Sequence, residues 1–438
     1  MKSSIVIMAA GKGTRMCSQT PKFLHKICGK PLGFYVIAEA LKVSDDIHIV
    51  LAHQADLIKQ QILENFNSSS IHFHFQDLEN FPGTGGALMD RGSQRFFEVK
   101  YERVLILNGD MPLVTEIQMR DLLQVDSEIV LSVIKLEDPS GYGRVLIKDN
   151  HVLGIVEEKD CNDIQKKINT VNAGVYVVKK QILGEFLPSL KNFNAQKEYY
   201  LTDLVSFGVT KGLKITPVFS RSDAFFGVNS RVDLAIAQDK MLDRIRKNAM
   251  LKGVTMHLPH TIYIESDVEF EGECELQEGV RITGKSRIVQ SLIKSHSVIE
   301  SSEVISSDIG PLAHIRPNSF MKDTHIGNFV EVKSSTLNGV KAGHLSYLGD
   351  CEIQQGSNIG AGVITCNYDG VRKHQTFIGE NVFVGSDTQL VAPLRIESNV
   401  LIGAGSTVTK DCKEGDLVLS RTSQRNVPRG FFKFFNKV

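Results

Sequence analysis

Through most of the second half of this chain an apolar residue returns every six positions. The run starts at Ile262 and continues through Val268, Cys274, Val280, Leu292, Val298 and Val304, with Ser286 alone out of step. It returns as Ile378, Val384, Leu390, Ile396, Ile402 and Val408, and fragments such as Ile309 and Ile315, Ile326 and Val332, and Ile353, Ile359 and Thr365 keep the beat between them. A period of six fits neither the 3.6 of an α-helix nor the 2 of an ordinary strand. It predicts a parallel β-helix in which three short strands make a coil of about eighteen residues and every sixth side chain points inward. Segments such as Ile359-Gly-Ala-Gly and Ile402-Gly-Ala-Gly supply the small residues that its corners need.

At 438 residues the chain exceeds one ordinary domain, so at least two are expected. Fifty Lys and Arg balance fifty Asp and Glu, which gives no electrostatic case for nucleic acid or an anionic membrane as the main partner. Seven scattered cysteines without a Cys-x-x-Cys pair fit a reducing cytoplasm. No stretch has the length of a membrane span, and the apolar run from Ile5 to Ala10 reads as a first buried strand that leads into a glycine loop.

Residues 1–230 alternate between strand and helix patterns: strands at 4–9, 47–52, 71–75 and 103–107, helices at 31–43 and 58–66. That alternation predicts an α/β, Rossmann-like domain with a mainly parallel sheet, whose ligands sit beyond the carboxyl ends of the strands. Residues 231–250, with Leu234, Met241, Ile245 and Ala249 on roughly one face, read as a linking helix. Residues 251–438 hold the repeat.

The polar motifs of the first half follow its strands. Ala9-Ala10-Gly11-Lys12-Gly13-Thr14-Arg15-Met16, then Pro21-Lys22, is neither a dinucleotide fingerprint nor a P-loop. Its glycines let backbone N–H groups approach phosphate oxygens, and Arg15 and Lys22 add charge. An ordinary βα turn shares the glycines; the two cations favour a triphosphate cradle. Gly83-Thr84-Gly85-Gly86 follows Gln76, whose amide could read a base edge. Asn108-Gly109-Asp110 closes a strand and offers an Asp to Mg²⁺, although an Asp before a turn is equally common. Weaker signals are Gly141-Tyr142-Gly143-Arg144, Glu157, Asn172-Ala173-Gly174, Tyr199-Tyr200-Leu201-Thr202-Asp203 and Gly227-Val228-Asn229.

In the second half the polar residues crowd between Arg316 and Lys373. Arg316 and Lys333 come from neighbouring coils and precede Lys341-Ala342-Gly343-His344, Asn358-Ile359-Gly360-Ala361-Gly362 and Cys366-Asn367-Tyr368-Asp369-Gly370. The rhythm breaks at 366–377, which predicts a loop inserted on a binding face. Imidazole titrates near neutrality, so His344 is the candidate base for an attacking amine, though a lone histidine is more often structural. Cys366 reads as a small packed residue. The Phe431-Phe432-Lys433-Phe434-Phe435 tail could touch a membrane, but docking on a neighbouring coil is favoured.

The first half, with its Ala-Ala-Gly-x-Gly-Thr-Arg-Met loop and downstream Lys22, resembles the sugar-1-phosphate nucleotidylyltransferases. With the Lys-Ala-Gly-His and Cys-Asn-Tyr-Asp-Gly motifs in order behind it, the whole chain resembles the bifunctional N-acetylglucosamine-1-phosphate uridyltransferases and glucosamine-1-phosphate N-acetyltransferases. The resemblance runs from about Ser4 to about Arg421. It implies a left-handed β-helix, assembly as a homotrimer, and synthesis of UDP-N-acetylglucosamine, a precursor of peptidoglycan and lipopolysaccharide. In the uridylyl site, Ala9, Ala10, Gly11, Gly13, Arg15, Lys22, Gln76, Gly83 and Thr84 would hold UTP. Gly143, Glu157, Asn172 and Asn229 would hold the sugar phosphate, and Asp110 and Asn229 would hold Mg²⁺. Asn172, with Gly174 two residues on, is preferred to Asn169. In the acetyl site, Arg316, Lys333, Tyr347, Asn358 and Lys373 would bind glucosamine 1-phosphate and His344 would act as base. Ala361, Asn367, Tyr368, Ser386, Ala404 and Arg421 would meet acetyl-coenzyme A, with Asn367 and Tyr368 near the acetyl end. The rival readings are a nucleotidylyltransferase with a structural tail and a non-catalytic assembly subunit.

Overall fold

The computed structural model describes residues 2–149, 151–194, 196–220 and 223–436. Its contacts divide the chain into two compact units that meet after Met241.

In the first unit the buried strand β1 (Ser4–Met8) lies parallel to β2 (Ile47–Leu51) on one side and β4 (Arg103–Asn108) on the other, and β3 (Ile71–Phe75) extends the sheet beyond β2. Beyond β4 the order continues through β8 (Thr170–Lys179) and β5 (Ile129–Lys135) to β9 (Ile215–Phe219). The hairpin of β6 (Arg144–Lys148) and β7 (His151–Val156) joins at β8. The sheet is mixed, because β8 runs antiparallel to both β4 and β5. The chain reaches β8 from a hairpin rather than a crossover helix, so nothing forces a parallel entry. The reversal matters for the site. With Tyr176 level with Ile106, the start of β8 projects past the carboxyl end of β4. Helices α1 (Leu32–Leu41), α2 (Ala55–Asn65) and α3 (Glu116–Gln124) follow the strands, and apolar clusters fill both sheet faces.

The linking helix is continuous over Arg231–Leu251. Within the second unit its last turns set Ile245 and Ala249 against the start of the repeat core. From Val254 onward every third strand pairs in parallel with the next, which gives three sheets of ten, nine and eight strands. This is the left-handed β-helix of the hexapeptide class. One column of side chains, from Ile264 through Ile282, Ile299 and Ile315 to Leu348, Leu390 and Val408, fills its axis.

The six-residue count fails in the middle of the solenoid. Arg281 pairs with Val298, Arg287 with Glu303 and Leu292 with Asp308, so those coils hold seventeen or sixteen residues. Only the ends keep eighteen, as in Tyr263 with Arg281 and Phe383 with Leu401. The inward residues are therefore Ile293 and Ile299, while Leu292 and Val298 are half-exposed. The cause lies in the corners. Gln290, Ser301 and Ser306 adopt positive φ of 44°, 41° and 47°, and a left-handed residue turns the chain within fewer positions. A buried serine follows each of them. Ser291, Ser302 and Ser307 accept N–H groups of Ser307, Ser319 and Thr324 in the next coil, at 3.0–3.2 Å, and donate to carbonyls of their own coil. These contacts satisfy polar groups that would otherwise be buried without partners.

The C-terminal phenylalanines do not dock on a coil of their own chain. Phe431, Phe432, Phe434 and Phe435 are exposed and pack on one another at the short helix Gly430–Phe434, after an exposed segment over 421–429.

Candidate functional site

A cavity of about 490 Å³ opens where β1, β4 and the start of β8 end. It gathers Ala9, Ala10, Gly11, Lys22, Gln76, Gly83, Thr84, Asp110, Asn172 and Asn229, residues spread over more than two hundred positions. The floor is built by glycines. Phe23 is buried against Gly33 and Gly109, where an added Cβ would lie 2.2 and 2.8 Å from its ring. That packing aims the neighbouring Lys22 inward. Gly13 holds a left-handed φ of 63°, and a Cβ there would lie 2.8 Å from Lys22.

Lys22 forms an ion pair with Asp110 and donates to Asn229 Oδ1 at 3.1 Å. Asp110 Oδ1 is buried and has no partner. One carboxylate oxygen left over beside an amide oxygen, at a strand end that opens into a cavity, is a donor set that suits Mg²⁺, which takes one or two protein oxygens and completes its shell with water and phosphate. No cluster of three or more His, Cys, Asp or Glu fit to hold a metal occurs among the described residues, so this pair is not a preformed all-protein cage.

Gln76 donates both amide hydrogens to backbone, to Phe81 O at 3.0 Å and Gly83 O at 2.8 Å. Its Oε1 is left as an acceptor at the cavity wall. The glycine loop that receives it is seated on residues 199–201. Gly85 N–H donates to Tyr199 O at 2.8 Å, and Leu201 N–H donates to Thr84 Oγ1 at 3.0 Å. Gly83, with φ of 93°, would put a Cβ 2.6 Å from Tyr199 O.

On the far wall Asn172 is locked through its side chain. Its Oδ1 accepts from Gly174 N–H at 2.8 Å and its Nδ2 donates to the buried Tyr176 hydroxyl at 2.7 Å. Asn169 is not part of the lining; its carbonyl pairs with Leu136 instead. Gly143 and Glu157 adjoin one another beside the cavity, and Asn172 N–H donates to Gly143 O at 2.9 Å. Burial, then the charge of Glu157, raises the carboxyl of Asp203 above its ordinary range. Arg15 is exposed on the turn Thr14–Met16 and is not part of the lining. The lining also includes Lys12, His53, Asn108, Tyr142 and Gly227, to which the sequence reading gave no role. Lys12, Asn108, Tyr142 and Gly227 lie inside motifs already marked; His53, after β2, carried no signal.

On the β-helix the register places the residues in columns. Ala342 pairs with Ile359, Ile359 with Val384 and Val384 with Ile402. Two positions on, the same column reads His344, Ala361, Ser386 and Ala404. Arg421 donates to Ala404 O at 2.5 Å near its end. Small side chains below one exposed histidine leave a shallow track. The glycines beside it let the coils close up, since a Cβ at Gly360 or Gly385 would lie 2.6 or 2.4 Å from the next backbone N.

Across the corner Tyr347 opens a strand of the second sheet, level with Glu331 and Ile364. Its ring lies over Gly349, where a Cβ would reach 2.5 Å from the hydroxyl. Lys333 is level with Gly349 on the same face. Contact with Lys333, and its charge, push the Lys373 amine below the ordinary lysine value. Arg316 is held by Glu331 at 2.8 Å. Crowding of cations this close is costly unless an anion joins them. Asn367 donates to Asp350 and, at 3.5 Å, to Tyr347 Oη. Tyr368 is exposed and bonds Gly370 O at 2.6 Å. Asn358 stands level with Lys341 and Phe383, in a different sheet from Lys333. Burial raises the Cys366 thiol above its usual value, which opposes a thiolate role.

Known families and relatives match both units. Residues 5–157 match the MobA-like NTP transferase domain and residues 375–410 match the bacterial transferase hexapeptide repeats. Among relatives, the chain is 57% identical to the bifunctional protein GlmU of Helicobacter hepaticus, over 100% of this chain and 98% of that one. It is 55% identical to the GlmU proteins of Nitratiruptor sp. and Wolinella succinogenes, again over 100% of this chain and 99–100% of theirs. With identity of this order from end to end, and with both transferase modules in place, the chain belongs to the bifunctional GlmU family.

Proposed function

We propose that each unit carries one reaction: the cavity of the first unit transfers the uridylyl group, and the corner between two β-helix sheets transfers the acetyl group. The enzyme acetylates glucosamine 1-phosphate from acetyl-coenzyme A, then joins the product to UTP, giving UDP-N-acetylglucosamine for the cell wall.

In the acetyl step His344 takes the proton of the substrate ammonium. The freed amine attacks the thioester carbonyl, the C–N bond forms, the C–S bond breaks, and coenzyme A leaves as the thiol. Arg316, Lys333 and Lys373 hold the sugar phosphate, with Tyr347 beside them. Asn367 and Tyr368 meet the acetyl end, and the Ala361, Ser386 and Ala404 track seats the coenzyme A arm against Arg421. Asn358 comes from another face, which supports a homotrimer in which a second chain completes the site. Sedimentation at three times the 48.6 kDa chain mass is expected.

In the uridylyl step a phosphate oxygen of N-acetylglucosamine 1-phosphate attacks the α-phosphorus of UTP in line, and the bond to the β-phosphate breaks to release pyrophosphate. Little proton transfer is needed, so alignment and charge carry the rate. Backbone N–H groups of Ala10, Gly11 and Gly13 approach the phosphates, and Lys22 and Arg15 offset their charge. Gln76 Oε1 accepts the N3–H of uracil; cytosine has an acceptor there and is rejected. Asn172, Gly143 and Glu157 orient the sugar. Asp110 and Asn229 would hold Mg²⁺, which would offset phosphate charge. The observation that carries this reading is the Lys22–Asp110–Asn229 constellation with its spare buried oxygen. A pyrophosphate-release assay with UTP, CTP and dTTP tests it: UTP is used best, and Gln76→Glu, which replaces the Nε2 donor to Phe81 O and Gly83 O by a carboxylate oxygen facing two carbonyls, loses activity. No helix among the described residues is long and apolar enough to cross a membrane; the seven cysteines form no disulfide among the described residues, which fits work in the cytoplasm.

A further inference from the structure

The inserted loop over 367–375 lengthens one coil, so that Cys351 pairs with Thr376 rather than with a residue sixteen to eighteen positions on. It carries Asn367, Tyr368 and Lys373, three residues of the acetyl site proposed above, on which this inference rests. The loop is stiffened within itself. Asp369 accepts the N–H groups of Val371 and Arg372 at 2.7 and 2.6 Å and bonds His374 at 2.7 Å, and His374 N–H returns to Asn367 O at 2.8 Å. These bonds set the shape of the loop but do not fix it to the solenoid.

Leu394 N–H of the following coil reaches Gln375 O at 3.2 Å, and one residue of the preceding coil holds the two ends. Asp350 turns a corner at φ of 49°, and three of its groups reach three segments. Its N–H donates to Lys333 O at 2.9 Å, its carbonyl accepts Thr376 N–H at 3.2 Å, and its carboxylate accepts the amide of Asn367. It thus holds the first residue of the loop, the residue that closes it, and the strand end that carries Lys333. We infer that Asp350 is a positioning residue for acetyl transfer: its carboxylate pins Asn367, and through it the loop that brings Lys373 to Lys333 and Asn367 to the Tyr347 hydroxyl.

The carboxylate has a second effect of opposite sign. It lies close enough to act on Lys373, and a negative charge there repels a phosphate. Removing the anchor should weaken binding of the sugar phosphate, whereas removing only the charge should not. Steady-state acetyl transfer, with glucosamine 1-phosphate and acetyl-coenzyme A varied in turn, separates the two. Asp350→Ala should raise KM for glucosamine 1-phosphate about tenfold, equivalent to about 1.4 kcal/mol, with a smaller rise in KM for acetyl-coenzyme A, whose acetyl end meets Asn367 and Tyr368 of the same loop. Asp350→Asn keeps an acceptor oxygen for Asn367 and should restore KM for glucosamine 1-phosphate to within about threefold of wild type. Equal rises in both variants, or no rise in Asp350→Ala, would overturn the inference. Should the alanine variant fail to fold, the asparagine variant decides alone: a tenfold rise in its KM for the sugar phosphate contradicts the anchor role. Failure of the site assignment itself would look different, since Lys333→Ala would then leave that KM unchanged.

Discussion

The two proposed sites gather distant residues in opposite ways. In the uridylyl cavity no spacing rule connects Lys22, Gln76, Asp110, Asn172 and Asn229; they meet because parallel strands end together and β8 enters reversed. In the β-helix one register operation, repeated, places His344, Ala361, Ser386 and Ala404 in line. The cavity is walled by residues of one chain and depends on glycines that let side chains and loops pack closely. The solenoid offers a flat, open surface and depends on small residues along a column. Damage in the first should be local and severe; damage in the second should be graded along the track.

The largest effect that tests this contrast is Asp110→Ala. Removing a preorganised electrostatic group of this kind costs about 10²–10³ in rate, so uridylyl transfer should collapse to that extent while acetyl transfer by the same sample stays intact. Loss of both activities would show that the sites are not independent. A smaller effect is expected on the track. Ser386→Leu or Ala404→Leu should raise KM for acetyl-coenzyme A about tenfold, near 1.4 kcal/mol, without changing KM for UTP. Gly109→Ala forces a methyl to 2.8 Å from Phe23. Overpacking of this kind costs roughly 1–3 kcal/mol, read as an earlier urea midpoint for the first unit together with a several-fold rise in KM for UTP as Lys22 shifts.

The smallest effect separates the units by pH. His48 Nδ1 lies 2.9 Å from His74 Nε2, and His74 stacks on Phe97 at 3.7 Å. Burial, then the charges of His48 and His72, lower His74 to about 4, while Asp90 and Asp46 act weakly the other way. The unfolded chain takes up this proton near pH 6.5 and the folded one only near 4. Stability from the neutral ring is therefore complete above about 6.5 and is lost as pH falls towards 4. Thermal melts at pH 7.5, 6 and 5 should show the first unit losing ground before the β-helix. His74→Phe should flatten that slope.

Much of the fold was legible because both halves rest on repetition: strand, loop and helix in one, six-residue steps in the other. The phase of the repeat was not. Counting in sixes puts Leu292 and Val298 inside, and the shortened corner at Gln290 brings Ile293 and Ile299 to the axis instead; those at Ser301 and Ser306 shift the coils that follow. A serine in a corner does not announce a left-handed turn. In the first half, the reversal of β8 had no local signal, yet it is what places Asn172 opposite Asp110. The glycine loops and the Asn-Gly-Asp strand end were visible because their residue types are unusual after strands. Asp350 was not, since an aspartate at a solenoid corner reads as one more turn residue.

The central claim is that two reactions run in sequence on two separate sites. Purified protein given glucosamine 1-phosphate, acetyl-coenzyme A, UTP and Mg²⁺, with thiol and pyrophosphate followed separately, tests it most directly in wild type and His344→Ala. Wild type should release both, with pyrophosphate dependent on acetyl-coenzyme A. His344→Ala should lose thiol release by about 10²-fold or more, as expected for removal of a general base, and should recover full pyrophosphate release when N-acetylglucosamine 1-phosphate is supplied. Undiminished thiol release in that variant would contradict the account.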